Sequence, residues 1–281
     1  MAQDNVFFQK IERIFDQKST PLVMGILNIT SDSFYDGGKY LQPDAYLAQA
    51  QKMIKEGADI LDIGAYSTRS GAAEVDETTE KERLTSAIAA IRKQFPEVLI
   101  SADTFRASVA KKSIEAGANI INDISGGTMD EAMFDTVAEL DVPYILMHIQ
   151  GTPQTMQVDP KYKNVTQEVK TFFEERMEML NKKGLKKIIL DPGFGFGKTI
   201  EHNYQLLREM DQFQSLGLPV LAGISRKSMI YKLLNIKSEE SLNGTSILNT
   251  IALQKGAKIL RVHDVKEAKE VVQLHSLLNK K

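Results

Sequence analysis

The sequence has no cysteine and no tryptophan among its 281 residues. The missing thiol excludes disulfides, thiolate nucleophiles, iron–sulfur clusters and every cysteine-based zinc site. It also fits a reducing compartment, and a cytoplasmic location is expected. Neither sign of charge is in excess: 35 Lys plus Arg stand against 37 Asp plus Glu, a net charge of -2. No overall field exists to hold a nucleic acid, so any anion site has to be local. Long apolar runs are also missing. Met1 to Thr20 is polar and charged, and no later run reaches the ~18 residues of a membrane span. No Pro-, Gly- or Ser-rich linker and no low-complexity tract divides the chain. One domain over residues 21–281 is expected, after a short N-terminal extension over residues 1–20. What remains is 42% hydrophobic and 26% charged, an ordinary globular composition with length enough for a large core.

A phrase recurs along the chain: Glu56-Gly57-Ala58-Asp59-Ile60-Leu61, Ala116-Gly117-Ala118-Asn119-Ile120-Ile121, Lys255-Gly256-Ala257-Lys258-Ile259-Leu260, and more loosely Lys183-Gly184-Leu185 before Ile188-Ile189-Leu190. Each glycine follows an amphipathic stretch and precedes a short apolar run, so the phrase reads as a helix closed by a left-handed residue and followed by a buried strand. The strands expected are Leu22 to Leu27, Ile60 to Ile63, Leu99 to Ala102, Ile120 to Asn122, Tyr144 to Met147, Ile188 to Leu190, Val220 to Ala222 and Ile259 to Val262. Helical patterns alternate with them at Pro43 to Glu56, Glu77 to Gln94, Arg106 to Ala116, Glu131 to Leu140, Gln167 to Lys183, Ile200 to Phe213, Leu242 to Lys255 and Val265 to Leu278, and residues 6–18 form a preceding helix or cap. Near-continuous apolar strands alternating with helices make an α/β protein with a parallel sheet covered on both faces. Eight such units close into a (β/α)8 barrel, with an open doubly wound sheet as the alternative.

In a barrel the chemistry sits at the C-terminal ends of the strands. At or just after successive ends stand Asn28, Asp62 with Thr68 and Arg69, Asp103, Asn122 with Asp123, His148, Asp191, Arg226 with Lys227, and Arg261 with His263. Helix caps and internal salt bridges also favour some of these types. As a set, Asp103, Asn122 and Asp191 offer acceptors and an amide to a flat, donor-rich heterocycle such as a pterin or purine. Arg69, Arg261 and His263 offer donors to an oxyanion such as pyrophosphate. Two long Gly-bearing loops, Ile29 to Gly38 and Gly64 to Asp76, could close over such a site.

Other chemistries lose ground. Asp191-Pro192-Gly193-Phe194-Gly195-Phe196-Gly197-Lys198-Thr199 resembles a P-loop, but Pro192 stands where that motif needs glycine, and the glycine spacing also fails the dinucleotide fingerprint. Its glycines let backbone pass close to a planar ligand, with Phe196 available for stacking. No G-x-S-x-G is present. The four histidines, His148, His202, His263 and His275, show no close ligand spacing. Mg²⁺ carried in on a pyrophosphate needs only one or two protein oxygens, such as the Asn28 side chain.

Ordered segments of the chain resemble the dihydropteroate synthase family. Met24-Gly25-Ile26-Leu27-Asn28-Ile29-Thr30-Ser31-Asp32-Ser33-Phe34 with Asp36-Gly37-Gly38 is similar to the first signature of that family, and Asp62-Ile63-Gly64 through Ser67-Thr68-Arg69 to the second. Asp103-Thr104, Asn122-Asp123-Ile124-Ser125-Gly126-Gly127, Met147-His148, the Asp191 to Lys198 segment, Ser225-Arg226-Lys227-Ser228 and Arg261-Val262-His263-Asp264-Val265 follow in order, so the resemblance spans residues 22 to 278. It implies a (β/α)8 enzyme of folate synthesis that joins dihydropterin pyrophosphate to p-aminobenzoate, with both as small-molecule partners, Mg²⁺ as cofactor, sulfonamides as inhibitors and a homodimer as the assembly. By position, the resemblance assigns the pterin to Asp103, Asn122, Met147, Asp191, Lys227 and Arg261. It assigns the pyrophosphate to Asn28, Thr68, Arg69, Arg261 and His263, with Asn28 on Mg²⁺. The p-aminobenzoate pocket falls to Phe34, Thr68, Ser70, Phe196, Lys227 and Ser228, and catalysis to Asp103, Lys227, Arg261 and His263.

The second loop departs from the family. Gly64-Ala65-Tyr66-Ser67-Thr68-Arg69-Ser70-Gly71 replaces the second Gly, the Glu and the Pro of the pattern Gly-Gly-Glu-Ser-Thr-Arg-Pro-Gly. Proline fixes φ, so Ser70 loosens the loop and removes a wall of the p-aminobenzoate pocket. Altered sulfonamide sensitivity is expected, and an inhibition constant unchanged in Ser70→Pro would sink that idea. Two rivals remain at this point: a pterin-binding methyltransferase domain, which would not need Arg69 or Ser225 to Ser228, and a non-catalytic pterin-binding paralogue. Ile247, Leu248, Ile251 and Leu253 serve either a dimer contact or packing on the sheet.

Overall fold

Strands that are apolar on both faces persist only where both faces of the sheet are covered. In the computed structural model, which describes residues 2–29, 43–65, 75–156 and 158–280, the expected runs form eight parallel strands in a closed barrel, paired in chain order. The elements are α1 (Ala2–Phe15), β1 (Leu22–Asn28), α2 (Pro43–Lys55), β2 (Ile60–Gly64), α3 (Glu77–Gln94), β3 (Leu99–Asp103), α4 (Ala107–Glu115), β4 (Ile120–Asp123), α5 (Met133–Leu140), β5 (Tyr144–Met147), α6 (Val165–Lys182), β6 (Ile188–Asp191), α7 (Ile200–Arg208), β7 (Val220–Ala222), α8 (Ser228–Leu234), α9 (Leu242–Gln254), β8 (Ala257–Val262) and α10 (Val265–Leu278). β1 pairs with β8 from Leu22↔Ile259 to Gly25↔Val262, which closes the sheet and removes the open doubly wound alternative.

The recurrent joint behaves as its glycine requires. Gly57, Gly117, Gly184 and Gly256 have φ of +99°, +113°, +92° and +91°, the left-handed region in which a Cβ is costly. The N-terminal helix expected over residues 6–18 spans Ala2–Phe15, other helix ends shift by one or two residues, and two helices differ more. The expected helix from Ile200 ends at Arg208 and continues as a 3-10 helix, Met210–Leu216. Leu207, Met210 and Phe213 are all buried, and their spacing of three fits that tighter helix. α8 lies where no helix was expected, because seven residues are too few to show a period before Asn235 turns left-handed at φ +54°.

Two cores sit on either side of the barrel wall. Outward side chains such as Leu61, Ile63, Ile100, Ile121, Leu146, Leu190, Leu260 and Val262 pack against the helices. Inward ones, Leu22, Met24, Ile60, Leu99, Ile120, Ile145, Ile189, Leu221 and Ile259, fill the lower barrel. α1 closes that end: Ile14, 1% exposed, joins the inward cluster, with Phe7, Ile11 and Phe15 packed against it. Lys258 Nζ ties the following turn to β8 through the Asp16 and Ser19 carbonyls at 2.7 and 2.6 Å. On α9, Leu248 and Leu253 are buried in the core, while Ile247 is 51% exposed. Among the described residues no helix is long and apolar enough to cross a membrane.

Candidate active site

Side chains two residues apart on a strand share a face, so the apolar layer in the lower barrel determines what stands above it. Above Ile60 comes Asp62, above Leu99 come Ser101 and Asp103, and above Ile120 comes Asn122. Met147 follows Ile145, Asp191 follows Ile189, Gly223 follows Leu221, and Arg261 with His263 follow Ile259. The polar groups converge by strand register rather than by loop conformation.

Arg261 bridges two strands. Its Nε donates to Asp62 Oδ2 at 2.6 Å and its Nη2 to Asp103 Oδ2 at 2.7 Å. Asn122 Nδ2 donates to the same Asp62 oxygen at 3.0 Å. Asp62 is 1% exposed, and its Oδ1 has no hydrogen-bond partner among the described residues. It is the site residue that the sequence reading named at a strand end but assigned no role. Its signal was its place two residues after Ile60, on the inward row.

Lys227 enters from the opposite side as the residue preceding α8. Its Nζ donates to the Phe194 carbonyl and lies 4.6 Å from the centroid of the Phe196 ring, a cation–π contact. A Cβ on Gly195, at φ +81°, would meet Lys227 Cδ at 3.1 Å, so glycine there gives the lysine stem room and supplies the left-handed backbone. A Cβ on Gly223 would lie 3.7 Å from Lys227 Nζ and 3.8 Å from Asp191 Oδ2. Those two groups face one bare patch of barrel wall. Met147 and Phe196 belong to one apolar cluster with Phe105, Ile124, Ile149 and Met156. His263 is set by Ser225, whose Oγ accepts the His263 backbone N–H at 3.2 Å and lies 3.1 Å from Nδ1. Ser228 is the first residue of α8, next to Lys227.

Some strand-end groups turn elsewhere. Asp123, on the outward row, accepts from Tyr144 Oη and the Ser125 backbone N–H at 2.7 Å each, and from the Gly127 N–H at 2.9 Å. Arg226, at φ +55°, makes a bidentate pair with Asp264 at 2.9 and 2.6 Å. His148 is buried against Lys198 at 3.0 Å. Phe34, Thr68, Arg69 and Ser70 lie outside the described residues.

The charges inside the mouth oppose their own burial. Burial, with the Asp62 charge beside it, pushes Asp103 up to about 7 against the pull of Arg261. Burial also raises Asp191, although Lys227 and the Gly193 N–H, 2.8 Å from its Oδ1, hold it down. Lys227 falls to about 8 by burial, opposed by Asp191. Burial works against the Arg261 charge too, yet Asp62 and Asp103 keep it above the ordinary arginine range. Because folded Asp103 keeps its proton longer than the unfolded chain does, its contribution to stability declines as pH rises from about 4 towards 7.

A hard cation asks for oxygen donors, and the residues present fit one that brings further ligands with it. Asn28 Oδ1 and Asp103 Oδ2 flank Gly64, at 3.7 and 3.5 Å from a Cβ placed there. No group of three His, Asp or Glu side chains among the described residues could hold a metal alone.

Closed barrel, inward carboxylates and strand-end cations define a (β/α)8 enzyme of the pterin-binding class, and the family model described as a pterin binding enzyme matches residues 24–263. The chain is 46% identical over 258 residues to the dihydropteroate synthase of Escherichia coli, covering 91% of both proteins. It superposes on a Yersinia pestis dihydropteroate synthase with sulfonamide drug complex at TM-score 0.88 and 41% identity, covering 93% of this chain and 95% of that one. A Xanthomonas albilineans dihydropteroate synthase in complex with 7,8-dihydropteroate matches at TM-score 0.84 and 35% identity, with 93% and 95% covered. The chain belongs to the dihydropteroate synthase family.

Proposed function

We infer that this chain condenses 6-hydroxymethyl-7,8-dihydropterin pyrophosphate with p-aminobenzoate, giving 7,8-dihydropteroate and pyrophosphate in folate synthesis. The observation that carries this reading is the inward row itself: carboxylates and an amide beside Lys227, Arg261 and His263 in one barrel mouth. Asp191 and Asn122 suit the ring N–H and amino groups of a pterin, because a carboxylate accepts adjacent donors. Lys227, held by the Phe194 carbonyl, donates to a ring acceptor, with Met147 in the pocket wall. Arg261 is assigned to the ring face and, with His263, Asn28, Thr68 and Arg69, to the pyrophosphate. Phe196 and Ser228, with Phe34, Thr68, Ser70 and Lys227, are assigned to the p-aminobenzoate pocket.

In this scheme the C–O bond to pyrophosphate breaks first, and the electron pair leaves with the pyrophosphate. Arg261 and His263 stabilise the growing negative charge, which is worth most where water is excluded. Mg²⁺, held by Asn28 and the pyrophosphate oxygens, would neutralise further charge on the leaving group. The cation left at the pterin methylene faces the negative Asp103 and Asp191. The aniline nitrogen then donates its lone pair to that carbon and passes one of its protons to solvent water, completing the new C–N bond. The protein is proposed to be cytoplasmic and to work as a homodimer through α9 and α10, whose Ile247, Leu274 and Leu277 are 51%, 67% and 71% exposed.

Asp103 must be ionised and Lys227 protonated for this arrangement. The expected kcat/KM for the pterin substrate is therefore bell-shaped in pH, with an acid limb at about 7 and a basic limb at about 8. Asp103→Asn should change the acid limb and leave only the part set by Asp191, which burial also raises, and a wild-type profile flat from pH 6 to 9 would contradict the assignment. The function itself is tested with purified protein, both substrates and Mg²⁺. Equal amounts of dihydropteroate and pyrophosphate support it. Pterin binding without either product would overturn it in favour of the methyltransferase or non-catalytic reading.

A further inference from the structure

Beside the mouth, the reaction scheme leaves the buried cation Lys198 without a role. Lys198 is 3% exposed, and its Nζ donates to the carbonyls of Gly193 and Phe196 at 3.0 Å each and lies 3.0 Å from Nδ1 of His148, itself 6% exposed. The charged and titratable groups acting on it are Asp191 and Lys227, beside His148 in direct contact. The segment it holds, between β6 and α7, is also tied at other points. The Gly195 N–H donates to Asn203 Oδ1 at 2.7 Å, and Tyr162 Oη donates to the Gly197 carbonyl at 2.8 Å. Gly193, at φ +69°, approaches the residue after β5 so closely that a Cβ would sit 1.9 Å from the His148 carbonyl oxygen. Gly195 in turn meets the Lys227 stem. The segment thus contacts His148 and Lys198 through Gly193 and Lys227 through Gly195.

We propose that Lys198 is a positioning residue for the second substrate: by drawing the Gly193 and Phe196 carbonyls towards His148, it fixes the Phe196 ring and the Phe194 carbonyl on which Lys227 rests. This rests on the reading of the mouth given under Proposed function. Of the groups assigned to the pterin, Asp103, Asn122, Met147, Asp191 and Arg261 stand on strands whose register does not depend on Lys198, and Lys227 alone among them rests on the segment. Loss of Lys198 therefore acts on p-aminobenzoate more than on the pterin.

Lys198→Met keeps the length of the side chain and removes the donors. The expected result is a KM for p-aminobenzoate at least tenfold higher, a pterin affinity by calorimetry lowered no more than about threefold through Lys227, and faster amide exchange confined to residues 193–198. Tyr162→Phe, which removes only the bond to the Gly197 carbonyl, should raise the same KM by a few-fold; it carries the test if Lys198→Met does not fold. A merely structural role would lower Tm and the active fraction, and so the apparent kcat, without separating the two substrates. Equal changes in both KM values, or an unchanged KM for p-aminobenzoate in folded Lys198→Met, would overturn the proposal. Should wild type give no turnover, the functional reading fails by itself, and the exchange measurement then decides the role of Lys198, an unchanged rate over 193–198 counting against it.

Discussion

Arg261→Met is expected to lower both stability and turnover by more than any other single change in the barrel mouth. Arg261 is the common partner of Asp62 and Asp103, at 2.6 and 2.7 Å, with side chains only 16%, 0% and 14% exposed. Removing one partner of such a buried group costs about 3–5 kcal/mol, because the remaining charges stay unpaired. Asp103 relieves part of that cost by taking a proton, since burial already pushes it up to about 7, so the lower end, about 3 kcal/mol, is expected. At roughly 2–4 °C per kcal/mol for a chain near this size, Tm should fall by roughly 6–12 °C. Under the proposed scheme turnover also loses a donor to the leaving group, a loss of about 10²–10³ in kcat. Arg261→Lys separates the two effects. One ammonium restores charge, and with it part of the stability, but it lacks the planar fork that spans both carboxylates, so activity stays low. A Tm and kcat near wild type in Arg261→Met would remove this arginine from both roles.

Asp191→Asn should show the opposite balance, a large functional loss with the fold intact. Asn keeps an oxygen for the Gly193 N–H, so the segment after β6 stays in place. What goes is the negative charge proposed to accept the pterin donors and to oppose the methylene cation. Hydrogen bonds to a charged group are worth about 1.5–3 kcal/mol each, so losing the charge from two of them weakens pterin binding by about 10². Burial raises Asp191 in the folded protein, which means its ionised form opposes folding near neutral pH; the loss of its support for the buried Lys227 charge offsets that relief, and Tm should change little in the variant. Asp191 also supports the Lys227 charge, so the basic limb of the pH profile should move below about 8. Calorimetry with a pterin and a pH profile of the residual rate check both parts. Unchanged affinity would take Asp191 out of the pterin site.

The barrel was legible because its strands are short, apolar and separated by helices with clear periods. Glu77–Gln94, Tyr144–Met147 and Val265–Leu278 match the sequence reading to the residue. Asp103, Asn122, Asp191 and Arg261 were legible for the same reason, each standing two or four residues beyond an inward apolar side chain on its own strand. Adjacent residues were harder to separate. Asn122 and Asp123 are both polar at a strand end, and only the period of two sends one to the mouth and the other to Tyr144. Arg226 and Lys227 pose the same problem. Arginine does not favour the left-handed backbone found at Arg226, so its residue type gave no sign of the turn that sends its guanidinium to Asp264. Lys198 was read as part of a glycine-rich stretch, since nothing local announces three acceptors that come from β5 and from the chain's own carbonyls.

The most direct test of the account is a single-turnover experiment with enzyme in excess, in which pyrophosphate is followed from dihydropterin pyrophosphate and Mg²⁺ with p-aminobenzoate first withheld and then added. The account predicts pyrophosphate formed before p-aminobenzoate arrives, and dihydropteroate only afterwards, in an amount matching the pterin consumed. Pyrophosphate that forms only together with dihydropteroate would contradict the stepwise scheme, and the absence of both products would contradict the assigned reaction.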